Sequence, residues 1–285
     1  MDGDPSSRSP ARYDGPPARV LFAALGMILW LLTQARLDGL FAFLGPRMLP
    51  QAVGGILSTL ILWPFWWRSV EPGSLTGRRS SGAALAATAA LLAPFATVAL
   101  VTGPAWAAPP ASAWLVTAGA LLLLAAMEEI VCRGFLLDIL SFGRRRAWGV
   151  ALSSAVFAAL HLANDHASAA GIANILLAGV FFALVRLSSG GLAWPVAVHW
   201  LWNLVTGMVF GWSVSGHPPL PTLFTSAGAL PWGAFGPEES VLMTLGVAAG
   251  VGLEIVQLRT TKNADIRTND PDPRPPVTGG RRSAP

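Results

Sequence analysis

Residues 125–135 read AAMEEIVCRGF, and the run leading into them, VTAGALLLLA, carries no charge. Two carboxylates, Glu128 and Glu129, and one guanidinium, Arg133, therefore interrupt an apolar segment. Further along stand His161, and then His199 with Asn203 four residues later. Carboxylate and imidazole are the side chains most used for proton transfer. An imidazole and an amide can together donate hydrogen bonds to a developing oxyanion. One Glu and two His, here Glu128, His161 and His199, could alternatively furnish a zinc-type ligand set with an open position.

Helix geometry divides these residues by face. Glu128 and Glu129 are adjacent, so they point about 100° apart on a helix and are not expected to aim squarely at one small site. Glu129 and Arg133 are four apart and can pair, which leaves Glu128 free for chemistry. His199 and Asn203 are also four apart and share a face.

The elements that must carry them are membrane helices. Of the residues 53% are hydrophobic and 12% charged, about half the charged share of a soluble domain. The apolar residues form blocks near 19–35, 51–67, 80–102, 113–140, 147–163, 169–187, 191–212 and 239–258, each close to the roughly 20 residues that cross hydrocarbon. The expected fold is all-α, a polytopic membrane protein of about eight transmembrane helices over 19–258. Disordered tails are expected at 1–18 and 259–285, from their Pro, Gly, Ser, Asp and Arg content.

The arginines orient this chain. Arg8, Arg12 and Arg19 precede the first block, Arg68, Arg78 and Arg79 follow the second, Arg144, Arg145 and Arg146 follow the fourth, and Arg186 follows the sixth. Basic residues also follow the eighth, whereas 103–112, 164–168 and 213–238 contain no Lys or Arg; only Arg36 and Arg47 weaken the alternation. The positive-inside rule then places both termini in the cytoplasm. Counting inward from Leu140, Glu128 lies about 18 Å deep, and His161, His199 and Asn203 lie about 21, 12 and 18 Å along their own helices. Ionisable groups at such depth are costly and mark function by default.

The high basic balance needs no nucleic acid. Its arginines sit where cytoplasmic loops and anionic lipid want them, and no basic domain face is available to read a groove. The late apolar start and the TQARLDG stretch argue against a cleaved signal peptide. Cys132 is the single cysteine, expected to be a small packing residue. His166 and His217 fall in outer loops and are expected to be solvated. The tryptophans near 63–67, with Trp148, Trp194 and Trp212, lie near block ends where aromatic belts form. One lysine against many arginines, with abundant Ala, Gly and Pro, points to a bacterial genome and hence to a cell-membrane location.

Three runs carry a family resemblance. Glu128-Glu129-Ile-Val-Cys-Arg133 resembles the E-E-x-x-x-R motif of the CAAX protease and bacteriocin-processing family, also called Abi. Phe157-Ala-Ala-Leu-His161 is similar to its F-x-x-x-H motif, and His199-Trp-Leu-Trp-Asn203 to its H-x-x-x-N motif. The resemblance covers about 113–205. It implies an intramembrane endopeptidase, of the glutamic type rather than a metalloprotease, whose polar cavity opens toward the cytoplasm and takes a membrane-associated peptide or protein. It implies Glu128 as the base that activates water, aided by His161, with His199 and Asn203 at the oxyanion and Glu129 and Arg133 as a supporting ion pair. Zinc on Glu128, His161 and His199 is the metal alternative, though no H-E-x-x-H helix is present.

Two other classes compete. A non-proteolytic scaffold or bacteriocin-immunity protein would keep the fold but would not need Glu128. An ion-coupled transporter would use the same buried polar residues for coupling, yet the chain lacks an evident inverted repeat. Substrate identity, prenylation and oligomeric state do not follow from the residues.

Overall fold

The computed structural model describes residues 15–44, 48–66, 82–141, 146–217, 220–226 and 228–269, with backbone alone at 65, 66 and 262–269. The helices are α1 (Pro16–Leu40), α2 (Met48–Trp66), α3 (Gly82–Val101), α4 (Ala111–Glu129), α5 (Leu137–Leu140), α6 (Arg146–Leu160), α7 (Ala169–Ser189), α8 (Ala193–Asn203) and α9 (Val241–Asn269). Every expected apolar block holds a helix. Six stretches are long and apolar enough to cross a membrane among the described residues: 16–40, 82–101, 111–140, 146–163, 169–189 and 241–261. Met48–Pro64 is a shorter apolar helix, so six stretches rather than the expected eight meet the length and hydropathy of a span. The architecture is that of an all-α, polytopic membrane protein.

Apolar side chains face outward as well as inward. Leu21, Leu25, Ile28 and Leu32 on α1, Leu115 and Val116 on α4, and Leu245 and Val256 on α9 are all exposed. In water such faces would be a liability; against lipid they cost nothing. The interior is filled by Phe95, Phe135, Phe157, Phe181 and Phe235, each buried, with α3 against α9, α1 against α2, α6 against α7, and α2 against α4. Tryptophan N–H groups tie helices together: Trp30 donates to Thr59 across α1 and α2 at 3.1 Å, and Trp200 donates to the Ala118 carbonyl of α4 at 3.0 Å.

The helical run from 111 to 140 is not one α-helix. Residues Ile130–Leu136 form a π-helix between α4 and α5, and a second, Leu204–Val209, follows α8. Each begins just after a polar motif, Glu128-Glu129 in one case and His199 to Asn203 in the other. Such segments occur mostly at functional sites.

Several expectations change. Trp212 is 2% exposed rather than interfacial: it packs on Trp232 at 4.8 Å, near Phe95, and donates to Ser226 at 3.0 Å. The chain turns inward at Gly211, whose φ of +70° and 2.7 Å approach of a would-be Cβ to the Phe224 carbonyl require glycine. That turn also lets β2 (Phe224–Ser226) pair antiparallel with β1 (Pro104–Trp106). Helix α9 runs to Asn269, past the expected end at 258. Residues 1–14 and 270–285 of the expected tails, and Arg8, Arg12, Arg47, Arg68, Arg78, Arg79, Arg144 and Arg145 of the orientation argument, lie outside the described residues.

Candidate active site

The site is built around one imidazole. His199 projects from α8 and is 6% exposed. Its Nδ1 lies 3.0 Å from Glu129 Oε1, and its Nε2 lies 3.7 Å from Glu128 Oε2. Both carboxylates thus reach the same ring, against the expectation that adjacent glutamates on one helix would not converge. The correction follows from the shape of imidazole, whose two nitrogens present opposite edges to side chains a third of a turn apart.

Glu129 is held through Oε1, while its Oε2 is buried without a hydrogen-bond partner among the described residues. Arg133 Nη1 donates to its Oε1 at 3.1 Å, and both side chains are 0% exposed. The other guanidinium arm donates to the Gly179 carbonyl of α7 at 3.1 Å. Gly179 is needed there because a Cβ would come within 3.0 Å of Ser154 on α6. The guanidinium also lies over the Phe157 ring at 4.2 Å and near Phe182 at 5.3 Å, a cation–π arrangement that gains strength where water is excluded.

The same two phenylalanines hold both imidazoles. Phe182 stacks on His199 at 4.9 Å with 15° between planes, and Phe157 meets it edge-on at 5.9 Å. Phe157 also packs against His161 at 4.7 Å. His161 Nδ1 is 2.8 Å from the Phe157 carbonyl. A carbonyl can only accept, so this nitrogen carries the proton and Nε2 of the neutral ring is left as a base.

Glu128 differs from its neighbour. Its side chain is 22% exposed, and its Oε2 accepts no hydrogen bond among the described residues. It lines a cavity of about 310 Å³ together with His161, His199 and Asn203. All four residues expected at the reaction centre therefore meet in one concave space. Arg133 and Glu129 stand behind its wall. Cys132 is fully buried, as befits a packing residue.

Residues 110–205 match the family model for Rce1-like type II CAAX prenyl endopeptidases. That segment contains every residue just described and all three motifs that resemble those of the CAAX protease and bacteriocin-processing family. It corresponds to the expected 113–205 within a few residues at its start. Comparison with curated proteins and with solved structures gave no match. The Rce1-like match, together with the apolar helices, points to a multi-pass membrane protein of the protease type whose substrate is a peptide or protein at the membrane.

Sequence reasoning missed part of this site. His217, expected to be solvated, is half-buried and lines the cavity with Ser215, whereas His166 is exposed. Asn164 donates to the Ser215 carbonyl at 2.9 Å, holding the 213–217 loop over the cavity. Behind that loop Glu238, 1% exposed, accepts from Trp202 of α8 at 3.1 Å and from Ser215 at 3.4 Å. Burial pushes its carboxyl up to about 7, against the opposing pull of those hydrogen bonds. No local motif announces Glu238. Phe157 was visible as part of F-x-x-x-H, but its contact with Arg133 was not.

The donor set was also compared with the zinc alternative. Among the described residues, no three His, Cys, Asp or Glu side chains are grouped to hold one ion. Glu128, His161 and His199 as placed do not make a ligand triad.

Proposed function

We propose that this protein is an intramembrane glutamic endopeptidase in which Glu128 is the general base. The observation that carries this reading is the unequal placement of the two carboxylates: Glu129 is sealed at 0% exposure against Arg133 and His199, while Glu128 is 22% exposed and lines the cavity with His161, His199 and Asn203. A water between Glu128 and His161 Nε2 would give its proton to the carboxylate as its oxygen attacks the scissile carbonyl carbon. With Nδ1 donating to Glu129, His199 would donate from Nε2 to the oxyanion so formed as the doubly protonated imidazolium, alongside the Asn203 amide. Collapse of the tetrahedral species breaks the C–N bond, and the proton held by Glu128 passes to the leaving amine. Preorganisation supports the assignment, because Phe157 and Phe182 fix the imidazoles before substrate arrives.

The test compares new peptide termini in host membranes and medium for wild type and Glu128→Ala at equal expression. Termini formed only with wild type support Glu128-dependent proteolysis; identical profiles favour a scaffold or immunity role. Purified enzyme treated with a chelator should keep its activity. Loss that zinc restores would replace this reading with the metal one.

A further inference from the structure

The cavity lies toward one end of the bundle, its mouth end. Along α6, Arg146 stands at the first residue and His161 just beyond the last, a separation of about 22 Å at 1.5 Å per residue. Arg186, near the end of α7, pairs with Asp138 of α5 at 3.5 Å, so the C-terminal ends of α5 and α7 and the start of α6 lie at one end of the bundle. The cavity lies toward the other. Its lining includes Asp38 near the end of α1, Gln51 near the start of α2, Asn164 after α6, and Ser215, His217 and Leu220 after α8.

Charge follows the same division. Among the described residues Arg19 at the start of α1, Arg146, Arg186 and Arg259 on α9 stand toward the end opposite the cavity, and Arg36 stands toward the mouth end. Connections 102–110, 161–168 and 210–240 at the mouth end contain Asp165, Glu238 and Glu239 and no Lys or Arg. Lys and Arg in short loops beside spans favour the cytoplasm, whereas acidic residues contribute little.

We infer that the cavity opens to the extracytoplasmic face, so that its substrate is a peptide or protein segment presented from outside the cytoplasm or from the outer leaflet. This deepens the proteolytic reading and rests on it for the word substrate. It runs against the cytoplasmic opening that the family resemblance implies. The wall that such a segment meets combines carboxylate and amide groups, Asp38 and Gln51, with apolar Leu220.

The test reads accessibility and needs no cleavage, so it stands apart from the fate of the protease assignment. Starting from Cys132→Ser, single cysteines are introduced as Gln51→Cys and Leu220→Cys in the cavity, Ala105→Cys beside the mouth, and Arg146→Cys at the basic end. Each is expressed in a bacterial host and spheroplasts are treated with a membrane-impermeant sulfonated maleimide, before and after permeabilisation. Cavity and Ala105→Cys thiols labelled in intact spheroplasts, with Arg146→Cys labelled only after permeabilisation, is the expected result. Labelling of Arg146→Cys in intact spheroplasts overturns the inference. So does labelling of the cavity thiols only after permeabilisation, or their failure to label in either state while Ala105→Cys reacts.

Discussion

The two sides of His199 use the same chemical groups to opposite ends. On its Nδ1 side, Glu129 and Arg133 are sealed from solvent and packed on Phe157 and Phe182. On its Nε2 side, Glu128 faces a cavity with His161 and Asn203. A carboxylate sealed beside a guanidinium is structure; one that faces a concave space can take a proton. What separates Glu128 from Glu129 is therefore not residue type or depth but which neighbours the fold supplies.

This contrast can be broken most sharply at Glu128. Glu128→Ala is expected to cut cleavage by about 10²–10⁴-fold, the range for a positioned general base, while the thermal midpoint in detergent changes little. An unfolded Glu128→Ala variant would show that the two carboxylates share a structural role. The complementary change, Arg133→Ala, should lower stability by about 3–5 kcal/mol, because it strands the buried Glu129 charge; denaturant or thermal unfolding in detergent measures it. Asn203→Ala sits on the cavity side and should reduce turnover by about 10²–10³-fold with little change in unfolding.

A smaller effect concerns Glu238, behind the 213–217 loop. Burial raises its folded pKa to about 7, above the ordinary carboxylate value of 4.5. The protonated carboxyl is thus the form the fold prefers. Its contribution to stability is complete below about pH 4.5 and is lost as pH rises through about 7, as linkage requires when the folded state binds more protons than the unfolded. At about 1.4 kcal/mol per pKa unit this amounts to roughly 3 kcal/mol. Melting between pH 5 and 8 should show it, and Glu238→Gln should flatten the dependence. Cys132→Ser should retain activity and lower stability by about 1–3 kcal/mol, because it buries a hydroxyl in an apolar site.

How much was legible can be judged residue by residue. The spacing of Glu129 and Arg133 announced an i,i+4 pair, and the pair is present at 3.1 Å. Apolar blocks placed the helices because lipid requires uninterrupted runs of apolar residues whose backbones satisfy themselves. Trp212 was misread because a position near a block end does not say whether the chain then leaves the bundle or turns back, and Gly211 turns it back. His217 was misread for the same reason: its loop returns over the cavity instead of standing in solvent.

By itself the sequence determined the helical, membrane-embedded character of the chain, its charge asymmetry, and the three motifs that carry the family resemblance. These are local properties, set by hydropathy over about 20 residues and by spacing within one or two helical turns. Tertiary structure alone decided that Glu128 and Glu129 meet opposite nitrogens of one imidazole, that Phe157 and Phe182 clamp Arg133 and His199, and that Glu238 lies buried behind the cavity loop. Each of those contacts joins residues from different helices or loops. Their geometry depends on how helices cross and where π-helical turns shift a face, and no pattern along a single segment encodes that.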